Sequence, residues 1–519
     1  MTFNITSMLK PEVYDHPAKN IELIETHISW VILSGDFAYK IKKPVDFGFL
    51  DFSTLEKRHN FCKQELALNR KLAPAIYLDV VAITGTSDKP RLSGSGPVFE
   101  YAVKMAQFPQ SAQLDNKLAA GELKLEHMDA LAHMVADFHQ TTDVADESTD
   151  YGNKDAVYRP VEENFRQINE HLDTEHYTGK LTALSQWSKS ELIKQQSVFT
   201  QRKADGFIRQ CHGDMHLRNL VWLDNKPMAF DCIEFNPALS WVDVISEIAF
   251  LIMDLQHRHQ HQLASRFLNS YLEVTGDYAG LSVLPYYLCY RALVRAKVAA
   301  LRLEQKSITI KERQQTLTEF ETYLELATAY AQPQTARLII MRGLSASGKS
   351  TVSQQLLETL GAIRIRSDVE RKRLFGIDLT NNLSSDKTPN EIDSGIYSAQ
   401  ASLQTYIKLA ELASEIIRSG YSVIVDAAFL KHEQREPFQL LASRLAVSYI
   451  IMEVTAPAEV LRQRINKRKN DVSDADLVVL EHQLTSWQAL QKDEINSTIS
   501  INTTDALDID ALIDIIKTK

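Results

Sequence analysis

The sequence predicts a multidomain chain, with an α+β domain first and then an α/β domain built on a parallel sheet. Three observations predict this. At 519 residues the chain is too long for one core, so two or three domains are expected. Its first third carries strand-like runs and is followed by a long, polar, helical stretch. After Pro333 the texture changes to short apolar strands separated by helices, the pattern of a parallel sheet covered by helices on both faces.

Composition narrows the class. An apolar fraction of 44% and a charged fraction of 24% are ordinary for globular protein. The net charge of −10 argues against a general nucleic-acid coat protein and leaves only a local basic groove open. Cys62, Cys211, Cys232 and Cys289 form no CxxC pair, which points to reduced thiols in a cytoplasmic protein rather than disulfides or a zinc site. The opening "MTFNITSMLKPEVYDHPAKN" shows no signal-peptide pattern. Apolar runs such as "VISEIAFLIM" are far shorter than a membrane span, so no membrane partner is expected.

In chain order, "ISWVIL", "FAYKIKKPV", "LDVVAIT" and "VFEYAVKMAQF" read as strands. Between them, "TLEKRHNFCKQELALNRKL" has helical apolar spacing. Residues 111–205 read as helical, "LEHMDALAHMVADFHQ" being a clear amphipathic helix. Further helices run to about 330, and "QPQTA" at 332–336 breaks the chain. These signals set domains at 1–332 (a small lobe at about 20–110, a helical lobe at about 111–332) and 333–519. Beyond the break, "RLIIM", "AIRIRS", "SVIVDA", "VSYIIMEV" and "TISIN" are buried-strand candidates.

The stretch "HGDMHLRN" at 212–219 leads directly into "NLVWLDNKPMAFDCIEF". The second segment reads as a hairpin turning at "DNKP", which brings Asn219 opposite the neighbourhood of Asp231. Asp214 lies in the loop feeding the hairpin. Phosphoryl transfer from ATP needs such a set: one carboxylate for the acceptor hydroxyl, and a carboxylate with an amide oxygen to hold magnesium. Asp214 suits the first role, and Asn219 and Asp231 the second. His212 suits a bracing role in the loop.

"HGDMHLRN" with "FDCIEF" resembles the catalytic loop and metal-binding segment of aminoglycoside phosphotransferase-like kinases, relatives of protein kinases and choline kinases. The resemblance covers roughly residues 25–300. It implies a protein-kinase-like N-terminal fold with a strand lysine on the ATP phosphates, paired with a helix glutamate. Lys40 in "FAYK" and Glu65 in "CKQELALN" are the corresponding residues. Lys42 is a rival, because both lysines point to one strand face. "VKMAQFP" would be the hinge under adenine. No GxGxxG precedes Lys40, only Gly35 in "LSGDF", a departure that fits the small-molecule branch better than protein kinases.

"RLIIMRGLSASGKSTVSQQLLETLG" reads as strand, GxxxxGKS loop and helix, the pattern of a P-loop NTPase. Gly343 and Gly348 let the backbone of Ser345, Ala346, Ser347 and the following Lys349, Ser350 and Thr351 wrap a phosphate. Lys349 adds a positive charge, the Ser350 hydroxyl can ligate magnesium, and the helix N-terminus contributes its dipole. Asp426 ends "SVIVDA" and Asp368 is expected to end "AIRIRS", where ligands gather in parallel sheets. Asp426 looks like a Walker B acid. Asp368, with Arg371, resembles the Asp-x-x-Arg of zeta-toxin-like and polynucleotide-kinase-like proteins, which implies a base on a hydroxyl with an arginine holding substrate. In the basic run "LRQRINKRKND", Arg464 and Arg468 lie one turn apart and could form a lid over the phosphoryl group. His257 and His261, though at metal-ligand spacing, read as a polar surface.

Nearly end to end, the chain resembles bacterial bifunctional proteins that fuse an aminoglycoside phosphotransferase-like domain to a P-loop kinase domain. The expectation is an ATP- and Mg2+-dependent phosphotransferase with two active sites, each acting on a hydroxyl of a small sugar-like or metabolite acceptor. The rivals are a regulatory nucleotide-binding protein with one catalytic site, and a nucleic-acid 5′-hydroxyl kinase acting through the C-terminal domain. Acceptor pockets are expected among the helices of 111–205 and in loops around 375–395.

Overall fold

The computed structural model describes residues 3–48, 50–172, 175–305, 308–377, 396, 398–467 and 477–519. Two compact units emerge, Met1–Leu255 with Tyr287–Ala327, and Gln256–Tyr286 with Thr328–Lys519.

The first unit opens on an antiparallel sheet of β1 (Glu22–Glu25), β2 (Ser29–Ser34), β3 (Phe37–Lys42), β4 (Tyr77–Thr86), β5 (Lys89–Leu92) and β6 (Val98–Ala106), in the order β1-β2-β3-β6-β4-β5. Helix Leu55–Leu72 packs on β4 and β6. It starts where the Thr54 hydroxyl accepts the Lys57 N–H, a side-chain cap for an otherwise unpaired backbone donor. Glu65 and Asn69 lie four apart on the buried face of this helix. Helices Leu114–Ala119, Leu125–Thr141, Lys154–His171, Thr178–Lys194 and Gln196–Ala204 follow. The expected hairpin is β8 (Leu220–Leu223) with β9 (Lys226–Ala229), set after β7 (Ile208–Gln210), which pairs with β10 (Trp241–Asp243). Asp224 and Asn225 form its two-residue turn with φ of 50° and 60°, the left-handed pair that matches strand twist.

The second unit is a five-stranded, all-parallel sheet of β11 (Arg337–Arg342), β12 (Ile363–Arg366), β13 (Val423–Asp426), β14 (Ser448–Thr455) and β15 (Thr498–Asn502), in the order β12-β13-β11-β14-β15. Ile339, Met341, Ile424, Ile450 and Met452 form one buried layer with Leu356 and Leu357 of helix Lys349–Leu360 and Leu512, Ile513 and Ile516 of helix Ile509–Thr518. Leu338, Ile340, Val423 and Val425 are fully buried too and alternate to the opposite face, where helices Ala399–Arg418 and His432–Leu445 pack on the strands. Continuous apolar strands are what a sheet covered on both faces requires.

One segment clusters away from its neighbours in sequence, and one sequence expectation is corrected. Residues 256–286 cluster with the second unit. Leu263, Ala264, Phe267, Tyr271 and Leu272 make a buried stripe on helix His261–Thr275, which packs on helix Lys349–Leu360 and β12. An apolar stripe states that a helix is covered, not which core covers it. Asp368 does not end a strand. β12 stops at Arg366, and helix Ser367–Leu374 begins with no intervening loop, placing Asp368 in its first turn, where an acid is favoured by the unpaired N–H groups.

Candidate active sites

The first site forms where β3, helix Leu55–Leu72, the loop before β8 and the segment after β9 meet. Lys40 Nζ lies 2.7 Å from Glu65 Oε1 and 2.5 Å from Asp231 Oδ1. Lys42 Nζ lies 2.7 Å from Glu65 Oε2 and also pairs with Glu234. One glutamate therefore bridges both lysines. The lysines differ in access: the Lys40 side chain is 13% exposed and Lys42 only 1%. Lys40 is the one beside Asp231, whose own side chain is 49% exposed. Burial works against charge on Lys40, yet the charges of Asp231, Glu65 and Glu234 raise its pKa well above the usual lysine value. Burial likewise pushes Glu65 up, but both lysines more than offset it and hold it below the usual carboxylate range.

Asp231 has φ of 66°, unusual for a residue with a side chain and a mark of a backbone held by its surroundings. Those surroundings are specific. The Asp231 N–H donates to Tyr77 Oη at 3.1 Å, the Cys232 N–H to Asn69 Oδ1 at 2.9 Å, and the Ile233 N–H to the His212 carbonyl at 2.9 Å. The Phe230 N–H donates to the Asn219 carbonyl at 3.0 Å, so the hairpin sets Asn219 one residue from Asp231. Asn219 Nδ2 donates to both the Asp214 carbonyl and Asp214 Oδ2, each at 3.0 Å. This engages the amide nitrogen and leaves the amide oxygen as an acceptor, the atom a hard cation takes.

Asp214 is 37% exposed at its side chain, with His216 Nε2 3.4 Å from Oδ2. Burial pushes its pKa up, but the hydrogen bond from His216 and the charges of His216, His212 and Arg291 outweigh this, so Asp214 sits below the usual carboxylate range. His212 is buried, with Nε2 2.8 Å from the Phe230 carbonyl.

The loop is held from beneath by residues the sequence reading did not single out. Glu247 accepts the His212 N–H at 2.6 Å and the Gly213 N–H at 2.9 Å, one on each carboxylate oxygen. Arg291 donates to the Gly213 carbonyl at 3.1 Å, and Asp254 accepts the Leu217 N–H at 3.0 Å. Gly213 has φ of 87°, and a Cβ there would lie 2.8 Å from the Leu239 carbonyl oxygen. A signal existed for the two acids. Glu247 and Asp254 lie seven apart in the otherwise apolar "VISEIAFLIMDL", one helical face, and buried acids need partners.

The second site is the loop after β11. Gly343 has φ of 157°, and a Cβ there would sit 2.3 Å from the Val454 carbonyl oxygen. Ala346 has φ of 64°, and Gly348, at 97°, caps helix Lys349–Leu360. Lys349 Nζ donates to the carbonyls of Gly343 and Leu344, both at 2.9 Å, folding the side chain over its own loop. Ser350 and Thr351 are exposed in the first turn. The Ser345 N–H donates to Gln483 Oε1 at 2.8 Å. The Ser347 hydroxyl is buried with no hydrogen-bond partner, an orphan a phosphate oxygen would satisfy. Strand register puts Asp426 beside Met341 and Arg366, and Asp426 Oδ2 accepts the Ser353 hydroxyl at 2.9 Å. This buried carboxylate, next to a glycine-rich loop that opens a helix, fits a nucleotide with its divalent cation.

Asp368 and Arg371 lie one turn apart on helix Ser367–Leu374. Arg371 Nε is 3.4 Å from Thr405 Oγ1. Lys372, its neighbour, is buried. Arg464 donates to the Ala346 carbonyl at 3.2 Å, to Thr503 Oγ1 at 2.8 Å and to the Thr503 carbonyl at 2.9 Å. Its guanidinium thus buttresses the phosphate loop from the carbonyl side rather than standing above it as a lid. Arg468, and most of the 375–395 loop expected to meet the acceptor, lie outside the described residues.

Among the described residues one cluster has metal-ligand chemistry, His139, Cys211 and Glu247. Both oxygens of its glutamate already accept backbone N–H groups. No helix of the described residues is long and apolar enough to cross a membrane.

The first unit gathers Lys40, Glu65 and Asp231 beside the Asp214 loop, and the second is a P-loop unit with Lys349 in its glycine-rich loop and Asp426 on the neighbouring strand. Residues 338–490 match a family described as an AAA domain. Over 464 residues the chain is 30% identical to uncharacterized proteins of Mycobacterium bovis and Mycobacterium tuberculosis, covering 89% of each partner in the comparison. It belongs to the same family as these mycobacterial proteins. Among solved structures, a sugar kinase from Janibacter sp. is 23% identical, with a TM-score of 0.26 over 35% of this chain and 93% of the other. A choline/ethanolamine kinase family protein from Mesorhizobium loti is 9% identical, with a TM-score of 0.37 over 61% and 94%. An ethanolamine kinase from Plasmodium vivax is 9% identical, with a TM-score of 0.39 over 60% and 82%.

Proposed function

We propose that this chain is an ATP- and Mg2+-dependent phosphotransferase with two active sites, each moving a γ-phosphoryl group to a hydroxyl of a small sugar-like or metabolite acceptor. The observation that supports the reading is that Lys40, Glu65 and Asp231 meet in the first unit with Asp214 tied to Asn219 beside them, while the second unit carries Lys349 in its glycine-rich loop, Asp426 at the end of β13 and Asp368 in the first turn of the helix after β12. A protein that only sensed nucleotide would need no acid on the acceptor side.

In the first site Lys40, aligned by Glu65, binds the α/β-phosphates. Asp231 and the Asn219 amide oxygen hold the cation. Asp214 orients the acceptor hydroxyl and takes its proton. Its depressed pKa suits this, because a dissociative phosphoryl transfer asks for positioning more than for a strong base. In the second site the loop N–H groups and Lys349 bind phosphate, Ser350 and Asp426 hold the cation, and Asp368 receives the acceptor hydroxyl with Arg371 alongside. The cation neutralises charge developing on the phosphate oxygens.

The test is a metabolite-extract screen for products heavier by one phosphate, using full-length chain with either Asp214→Ala or Lys349→Ala. Two-site action predicts a distinct product lost in each variant. A product set depending on one site alone would support the regulatory alternative for the other, and labelling of RNA or DNA 5′-hydroxyls would redirect the second site to nucleic acid.

A further inference from the structure

Helix His261–Thr275 reaches the second unit's sheet at β12, beside the phosphate loop's acid. On β12, Arg364 and Arg366 alternate to the same face, and parallel register sets Arg366 next to Asp426. Two guanidiniums beside one buried carboxylate would ordinarily pair with it, since arginine–carboxylate pairs are strong and directional. Asp426 so paired could not serve a cation.

The side chains take another partner. Arg366 Nη1 lies 3.0 Å from Glu273 Oε1, and Arg364 Nη2 lies 3.4 Å from Glu273 Oε2. Each oxygen of one carboxylate receives one arginine. The other arm of Arg364 lies 3.4 Å from Ser353 Oγ, and that hydroxyl donates to Asp426 Oδ2 at 2.9 Å. Asp426 therefore receives a neutral hydroxyl. Arg266, on the same helix, is occupied by Glu358 at 2.8 Å. The Glu273 carbonyl also accepts Arg373 of the helix that bears Asp368, at 2.6 Å.

We infer that Glu273 is a positioning residue of the second site: it holds Arg364 and Arg366 on its own carboxylate and so keeps Asp426 available to a divalent cation. The inference rests on the reading of Asp426 as a metal ligand. It differs from a role in stapling the helix to the sheet, because it predicts an effect on metal dependence specifically. Glu273→Gln frees two positive charges beside Asp426 and disfavours a divalent ion there.

The experiment uses the full-length chain carrying Lys40→Ala, which silences the first site, and follows binding of a fluorescent ATP analogue against Mg2+ concentration and in chelator. Glu273→Gln is expected to raise half-saturating Mg2+ about tenfold and to leave metal-free binding unchanged or tighter. Glu273→Gln with Arg366→Gln, which removes one of the freed charges, is expected to recover most of the loss. Unchanged Mg2+ dependence, equal weakening with and without metal, or no recovery in the double variant would each overturn the inference. Should Glu273→Gln fail to fold, Arg366→Gln alone decides: half-saturating Mg2+ stays or falls if the inference holds, and a rise overturns it. Asp426→Asn separates the two layers. If that variant keeps normal Mg2+ dependence, the metal reading of Asp426 fails and the inference with it. If Asp426→Asn is defective while Glu273→Gln is normal, only the inference fails.

Discussion

Lys40 and Asp231, 191 positions apart in the chain, meet at 2.5 Å. The pairing distinguishes Lys40 from Lys42, which the two-residue repeat of a strand cannot do, since both side chains leave β3 on one face. Lys42 is buried between Glu65 and Glu234.

The two lysines should therefore fail differently. Lys40→Ala is expected to weaken nucleotide binding and first-site turnover with only a small loss of stability. Lys42→Ala leaves the buried Glu234 carboxylate without its cation, while Glu65 keeps Lys40, and breaking a buried pair in this way costs about 3–5 kcal/mol. Denaturant midpoints measured beside nucleotide affinity check this. A stable but inactive Lys42→Ala would reverse the assignment.

Within the first site, Asp214→Ala should cut phosphoryl transfer by about 10²-fold or more while ATP still binds, because the acid faces the acceptor. Asp231→Ala should weaken binding of the metal–nucleotide complex itself. Single-turnover transfer and equilibrium binding on the same preparations separate the two effects, and full transfer by Asp214→Ala would remove this acid from the reaction.

Lys349→Ala should abolish nucleotide binding at the second site and leave first-site turnover largely intact. Asp368→Asn should retain that binding and lose transfer to the true acceptor by about 10²–10⁴-fold. Equal loss of nucleotide binding in Asp368→Asn would move this acid from the acceptor to the metal or to the fold.

Acid sensitivity has an identifiable contributor. Burial, aided by the Arg209 charge, lowers the His139 pKa from 6.5 to about 3. Between those values the unfolded chain binds a proton that the folded chain does not, so stability rises with pH across the window and falls as pH drops below about 6.5. The slope from one such group approaches about 1.4 kcal/mol per pH unit. His139→Gln should flatten the denaturation free energy against pH between 6.5 and 5 by about that amount, and a parallel curve would show that His139 does not contribute.

Local pattern alone determined much of this protein. The strands "RLIIM", "AIRIRS", "SVIVDA", "VSYIIMEV" and "TISIN" are legible because a sheet covered on both faces demands short unbroken apolar runs. The hairpin after Asn219 is legible because Asp224 and Asn225 tolerate the left-handed backbone its turn requires. The phosphate loop is legible because its glycines, lysine and helix start are contiguous in sequence.

Tertiary structure decided what depends on distant partners. Glu247 and Arg291 support the Asp214 loop through backbone groups dozens of residues away; an acid in an apolar helix signals that a partner is needed, but not which backbone group it meets. Helix His261–Thr275 shows an apolar stripe in the sequence, but only packing assigns it to the second unit's core. Asp368 lies in a helix rather than at a strand end because β12 passes into that helix with no turn residues to mark the change. The different surroundings of Lys40 and Lys42 depend on where Asp231 and Glu234 fall. Periodicity gives the face a side chain takes, and only the folded chain supplies the charge that meets it there.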